Sequence, residues 1–419
     1  MFKVQIPLPG NSMNLDVTSP ILWLLMICLV GNSPAMGIEW PASRLNEKDI
    51  AWLQNHGATH PQTKVAFKKL FVDAEKVVRR AAKPSVTSKS KVPPSGDKRD
   101  YYSVSRYWWP NPKTGDELPW IRKDGETNPV CKSAAYDGER LRDVARWIES
   151  VCIAYAISED EVYAKRATEL LQVFFLDEKT GMRPNFRYSG SVPGVADGRA
   201  SGLIELRSIT RVLDVIHVLE KSDSFRGAIS NGMVQWSRDL LDWILISSIG
   251  RKESLSANNH GTYLDATVMT LALVADRKNL AKLVATDSVP SRIEMQFDDS
   301  GKQPHELKRT LSLHYSIFNI LAYLKCRELG EQIGVDIWHE KLERGINYVA
   351  DPLRGDQPWP HLQKKKVQYR YVLEISRLLK RTGRSDLAKG IAKRFQSDED
   401  YKKSVTHLLL PPTMADADR

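Results

Sequence analysis

Residues 141–175 read LRDVARWIESVCIAYAISEDEVYAKRATELLQVFF. Apolar side chains recur every three or four positions from Leu141 to Ile157 and again from Val162 to Phe175, the period of a helix that buries one face. Only Ser158-Glu159-Asp160 and a flanking residue separate the two runs, so the spacing predicts an antiparallel helical hairpin. Working outward, Leu203 to Leu219 and Phe225 to Ile246 form a second such pair. His260 to Ala275, Leu307 or later to Leu329, Ile337 to Val349 and Val367 to Leu379 continue the pattern downstream. Upstream, Val65 to Ala82 places Phe67, Leu70, Phe71, Ala74, Val77 and Val78 at helical spacing. Few runs alternate with period two, so strands are expected to be minor. Successive helical hairpins predict an all-α chain, an (α/α) toroid or incomplete barrel. A TPR or HEAT solenoid is the competing architecture, but no fixed-period consensus repeats.

The chain has 419 residues with a soluble, globular composition, and 61 Lys and Arg against 51 Asp and Glu give a net charge of +10. A positive field gathers polyanions: nucleic acid, acidic glycan or an anionic membrane surface. The basic runs are short (Lys68-Lys69, Lys76 with Arg79-Arg80, Lys364-Lys365-Lys366) and sit beside or within helical patterns, as solvated faces do. No nucleic-acid-binding motif accompanies them, which argues against a nucleic-acid partner. The apolar run Ile21 to Val30 is too short to span a bilayer and matches the core of an export signal, so residues 1–36 read as a leader of a secreted or periplasmic protein. Cys131, Cys152 and Cys326 then remain of four cysteines; Cys152 and Cys326 fall in apolar helical patterns, as buried thiols do. No CxxC spacing calls for a metal, and no motif calls for a cofactor. Residues 37–396 read as the toroid, with a polar, proline-containing linker from Lys83 to Arg99, and 397–419 as a weakly patterned tail.

Two short segments carry the chemistry. Ala257-Asn258-Asn259-His260-Gly261 supplies amides and an imidazole, and Glu306-Leu307-Lys308-Arg309-Thr310 followed by His314-Tyr315 supplies a guanidinium and a phenol. Together they suit β-elimination at a uronic acid. The proton next to the sugar carboxylate is weakly acidic, and its removal loads more charge onto that carboxylate. Fixed donors must stabilise that charge, a base must take the proton, and an acid must protonate the departing glycosidic oxygen. Arg offers a planar fork for a carboxylate, and Asn a neutral donor. A tyrosine needs nearby positive charge to act as a base near neutral pH, and Arg309 and His260 are its expected sources. Arg309 and Tyr315 are six residues apart and would diverge on one continuous helix. The periodicity of Leu313, Ile317, Ile320 and Leu324 starts the helix near Ser312, leaving Arg309 in the preceding loop and able to face the same cleft.

Each residue also has a plainer role open to it. An asparagine before Gly261 can simply cap a helix, Arg309 can pair with Glu306, and Tyr315 can be a half-buried aromatic. Two further segments suit sugar binding. The aromatic stretch from Asp100 to Pro129 contains Tyr107, Trp108, Trp109 and Arg122, and the loop around Arg187, Tyr188 and Arg199 is marked by Gly, Pro and Asn. Both can equally be wrapping segments that fill grooves between helices.

Taken together, Tyr107-Trp108-Trp109-Pro110, Ile121-Arg122-Lys123-Asp124-Gly125-Glu126-Thr127-Asn128-Pro129, Asn258-Asn259-His260-Gly261, Glu306-Leu307-Lys308-Arg309-Thr310 with His314-Tyr315-Ser316, and Gly334-Val335-Asp336-Ile337-Trp338 resemble the alginate lyase superfamily of α/α-toroid polysaccharide lyases. The likeness covers roughly residues 95–362. It implies that Asn259, His260 and Arg309 surround the substrate carboxylate, with Asn258 in support. It implies Tyr315 as the acid, and as the base too where both protons lie on one face of the sugar; His260 is the other candidate base. The loop Asn185 to Gly194 departs from the family's Tyr-Ala-Gln arrangement, so the sugar stays open between mannuronate and other uronates such as glucuronate. The expected partner is an acidic polysaccharide. A toroid glycoside hydrolase would need two flanking carboxylates, for which Asp265, Asp298, Asp299 and Glu306 are on offer without a convincing pair. A glycan-binding protein without turnover is the third reading. Nothing in the sequence fixes the oligomeric state.

Overall fold

The hairpin at residues 141–175 forms as two helices, Gly138–Ser158 and Glu161–Leu171. Glu159 turns the chain in the left-handed region (φ 58°), and the Asp160 side chain accepts from the Val162 amide to start the second helix. The computed structural model describes residues 3–8, 11–16, 40–41, 44–395 and 397–404. The Ile21 to Val30 run lies outside the described residues.

The toroid follows from which helices pack together. Gly138–Ser158 packs on Arg207–Leu213, that on Asn259–Val274, that on Ser312–Gln332, and that on Tyr369–Arg381. These five form an inner arc. Lys64–Arg79, Glu161–Leu171 and Ala228–Ile246 back it from outside. Two of the inner helices, Asn259–Val274 and Ser312–Gln332, are buried on nearly all sides, as helices packed on both faces must be, and Asn259–Val274 exposes almost none of its side chains. Arg44 ties the ends of the arc, bonding Glu149 of the first inner helix and Glu374 of the last at 3.2 Å. No helix among the described residues is long and apolar enough to cross a membrane.

Several expectations need adjusting. Leu203 to Leu219 is not one α-helix: Arg207–Leu213 lies between 3-10 pieces Ala200–Leu206 and Ile216–Lys221. A high density of β-branched side chains (Ile204, Ile209, Thr210, Val212, Val215, Ile216, Val218) weakens continuous α geometry there. The Lys83 to Arg99 segment is not a free linker. Lys89 is fully buried, pairs with Asp137 at 2.8 Å and donates to the Val86 and Lys98 carbonyls. Past Ser397, Glu399–Lys403 forms a short helix with Tyr401 buried. Strands are minor, as expected. Cys131, Cys152 and Cys326 are buried free thiols, and Lys68-Lys69 and Lys364-Lys365-Lys366 are solvent-exposed.

The inner helices all open at one end of the arc. Gly138, Arg207, Asn259, Tyr315 and Tyr371 belong to the first turns of the five inner helices, and all five line one cleft. Helix N-termini carry partial positive charge, so the fold itself makes this rim attractive to anions.

Candidate active site

The cleft is about 520 Å³. Nine arginines line it against two carboxylates, Glu205 and Glu253, so its potential is strongly positive.

The Asn258–Gly261 turn enters the cleft as the start of helix Asn259–Val274. Asn258 caps it, its Oδ1 accepting from the His260 amide at 3.1 Å. Its side-chain NH₂ has no protein partner among the described residues and lines the cleft. Gly261 is required by space. A Cβ there would lie 2.1 Å from Arg292 Nη1 and 2.4 Å from the Ser256 carbonyl oxygen. Arg292 is buried, bonded to Asp265 and to the Ser254 and Ser256 carbonyls, and so pins the loop that precedes the site.

His260 is about one-fifth exposed, and its Nδ1 lies 2.7 Å from Glu253 Oε1. A buried carboxylate at that distance takes the Nδ1 proton as its hydrogen-bond donor and leaves Nε2 as the lone-pair nitrogen. The sequence reading did not single out Glu253. The only signal was an acidic residue seven positions before the histidine, on helix Ser248–Ser254.

Asn259 behaves differently from its neighbour. Its amide Nδ2 donates to both Glu306 oxygens at 2.9 and 3.0 Å, and its backbone N–H adds a third bond at 2.7 Å. Its donors therefore point at Glu306, and of the two asparagines Asn258 is the one with an amide free for a ligand. Glu306 is buried and serves as this anchor; it does not pair with Arg309.

Arg309 lies before helix Ser312–Gln332, as the periodicity required. Asp124 holds it, accepting from Nη2 at 2.8 Å and Nε at 3.3 Å, and also accepts from the Thr310 hydroxyl and amide. Burial alone would raise the Asp124 carboxyl, but the bonds from Arg309 and Thr310 hold it at about 2. Gly125 makes this turn with φ +77°, where a side chain would also strike Thr310 Oγ1. Asp124→Asn is expected to unseat Arg309 and lower kcat/KM about ten- to hundredfold with little change in melting temperature; kinetics and a thermal melt check this together.

Tyr315 sits beside the expected cation. The Arg309 guanidinium does lie over its ring, 3.7 Å from the centroid, and its hydroxyl donates to the Tyr107 hydroxyl at 2.8 Å. Yet burial drives this phenol well above its ordinary range, outweighing Arg309.

Of the sugar-binding candidates, Tyr107, Trp108, Arg122 and Arg199 line the cleft; Trp109, Arg187 and Tyr188 do not. Trp108–Trp109 is a strand paired with Ile121–Arg122, with Trp108 opposite Arg122. Successive strand residues face opposite ways, which turns Trp109 from the cleft; its indole N–H bonds the Glu126 carbonyl. Arg187 is exposed, and Tyr188 begins the strand Tyr188–Ser191 beside Tyr102–Val104. The hydrolase carboxylates are also accounted for. Asp265 is bonded to Arg292 and Glu306 to Asn259, while Asp298 caps its own turn and Asp299 is exposed.

Comparisons with known proteins agree with the helical toroid. The family model described as alginate lyase matches residues 85–359. The chain is similar to an alginate lyase from Bacteroides ovatus, at 30% identity over 88% of this chain and 99% of that one, with a TM-score of 0.81. It shares its fold with alginate lyase A1-III from Sphingomonas species A1, at 14% identity and a TM-score of 0.53 over 85% and 93% of the two chains. A histidine-to-alanine variant of A1-III complexed with a tetrasaccharide matches at 13% identity and a TM-score of 0.50, over 80% and 92%. A comparison with curated protein sequences found no match.

Proposed function

This chain belongs to the alginate lyase family and is a polysaccharide lyase, and we propose that it cleaves a 1,4-linked polyuronate by β-elimination in this cleft. Alginate, including polymannuronate, is the first candidate substrate and glucuronan the second. The observation that carries the reading is the division of labour around one cavity: a carboxylate-backed imidazole, a phenol held protonated, and a guanidinium fixed over that phenol.

The roles follow from those states. The sugar carboxylate sits among the Asn258 amide, the His260 edge and the Arg309 donors that Asp124 does not occupy. Negative charge grows on it as the neighbouring carbon loses its proton, and donors already in place stabilise that charge without reorganising. His260 Nε2 takes the proton, and Glu253 stabilises the imidazolium that forms. Tyr315 turns its O–H from Tyr107 to the glycosidic oxygen and protonates it as the C–O bond breaks. Asn259 acts through Glu306, fixing the turn that carries His260. Trp108, Arg122 and Arg199 line the path of the neighbouring sugars, with Arg199 stacked 5.2 Å from the Trp108 ring.

On this reading residues 37–396 form one catalytic toroid acting on a polymer outside the cytoplasm, to which an export leader in residues 1–36 would direct it. Polymannuronate, polyguluronate, glucuronan and hyaluronan, each mixed with the protein, test the substrate. One of the first three is expected to yield the conjugated, ultraviolet-absorbing product of elimination. Absorbance from hyaluronan alone would overturn the homopolyuronate assignment.

A further inference from the structure

A second set of cations lies on the far side of one imidazole from the catalytic group. The His314 ring meets Tyr315 edge-on at 5.0 Å on one side and Tyr371 at 4.6 Å on the other. Tyr371 is nearly buried, and its hydroxyl accepts from Arg370 Nη2 at 3.1 Å. Arg207 reaches the same side chain. The Arg207 guanidinium is itself fixed, lying over Phe318 at 4.4 Å and Tyr263 at 4.9 Å. Arg106 completes the group, close enough to act on both Tyr371 and His314.

These arginines lack a salt-bridged anion, as does Arg199 over Trp108 elsewhere in the cleft, but only these three gather around Tyr371. Arg309 and Arg122 share Asp124, Arg142 pairs with Glu139 and Arg211 with Glu149. Among the described residues, Arg106, Arg207 and Arg370 make no salt bridge to a carboxylate, and only Glu205 acts on Arg106 from a greater distance. Two neighbours register the uncompensated field. Burial and the surrounding arginines push His314 down to about 4, so it stays neutral. Burial alone would raise Tyr371, but Arg207, Arg370 and Arg106 draw it below its ordinary range. Like charges held together in a folded cleft repel unless something negative joins them. The first turn of helix Tyr369–Arg381 adds its N-terminal partial charge at the same place. Arg370 and Tyr371 also lie beyond residues 85–359, the part that the family model matches.

We propose that Arg106, Arg207 and Arg370, grouped around Tyr371 and set off from Arg309 by the His314 ring, form a second carboxylate site for the uronate adjoining the one that is cleaved. The inference rests on the polyuronate lyase reading and deepens it. A cleft with two carboxylate sites selects polymers in which successive sugars are acidic over those in which a uronate alternates with a neutral sugar.

Arg370→Gln is the test, because this side chain is exposed and its loss leaves the core intact; matching thermal melts confirm the fold. Binding is measured by calorimetry in a Tyr315→Phe background, with a homouronate tetrasaccharide and with a hyaluronan tetrasaccharide. Arg370→Gln is expected to weaken the homouronate about tenfold, the loss of one charge-assisted bond, and to change hyaluronan binding less than about twofold. With Tyr315 intact, KM on the polymer rises by a similar factor while kcat falls less than about threefold. Unchanged homouronate affinity, or equal losses on both ligands, overturns the second site even if the chain is an active lyase. Arg370-dependent homouronate binding without any unsaturated product supports the second site and counts against the lyase reading alone. No binding of either ligand overturns both.

Discussion

Tyr315→Phe is expected to lower kcat about a thousandfold or more while KM stays within a few-fold, the loss that follows removal of a positioned proton donor. Phenylalanine keeps the ring beneath Arg309, so the carboxylate-binding guanidinium stays where it is. Only the hydroxyl disappears. That hydroxyl is buried and holds its proton tightly, so the leaving oxygen loses its acid and no other phenol occupies the position. Tyr107, left without its 2.8 Å partner, is the nearest substitute, and Tyr107→Phe separates the two. It should be much milder, because Tyr107 only receives the Tyr315 hydrogen bond and is not the proton donor. Near-normal turnover by Tyr315→Phe would remove this residue from the mechanism.

The second large effect is expected at Glu253. Glu253→Gln should lower kcat about a hundredfold or more with little change in KM, since the carboxylate both orients the imidazole and stabilises its charged form. Glu253 touches His260 and not the substrate, so it is a positioning residue. Its signature is non-additivity: once His260→Ala has removed the base, adding Glu253→Gln should do little more, because the two act as a unit. Two independent losses that multiply would show that Glu253 acts elsewhere in the fold.

Local regularity was legible in the sequence. Helical period placed the hairpin at residues 141–175 and set Arg309 ahead of the helix that carries Tyr315. The period also marked most of the inner helices, although it overran Arg207–Leu213 at both ends. Partnerships across the chain were not legible. Asp124 meets Arg309 from 185 residues away, and Tyr107 meets Tyr315 from 208, separations that no local pattern encodes. The surroundings of the Tyr315 hydroxyl were hidden for the same reason. The sequence supplied the nearby arginine but not the depth of burial that outweighs it. Trp108 and Trp109 looked equivalent until a two-residue strand turned one into the cleft and the other out. Arg370 and Tyr371 lay inside the expected Val367 to Leu379 helix, and only the packing of that helix on Ser312–Gln332 brings Tyr371 beside His314.

Whether this cleft eliminates or hydrolyses is written in the composition of its product. The chain is incubated with polymannuronate, polyguluronate and glucuronan in water enriched in heavy oxygen, and the oligosaccharides are weighed by mass spectrometry. Elimination predicts new ends carrying a double bond, lighter than hydrolysis products by one water, absorbing in the ultraviolet and free of the heavy isotope at the cleaved linkage. Heavy oxygen built into saturated new ends would contradict the account and place a hydrolase in this toroid.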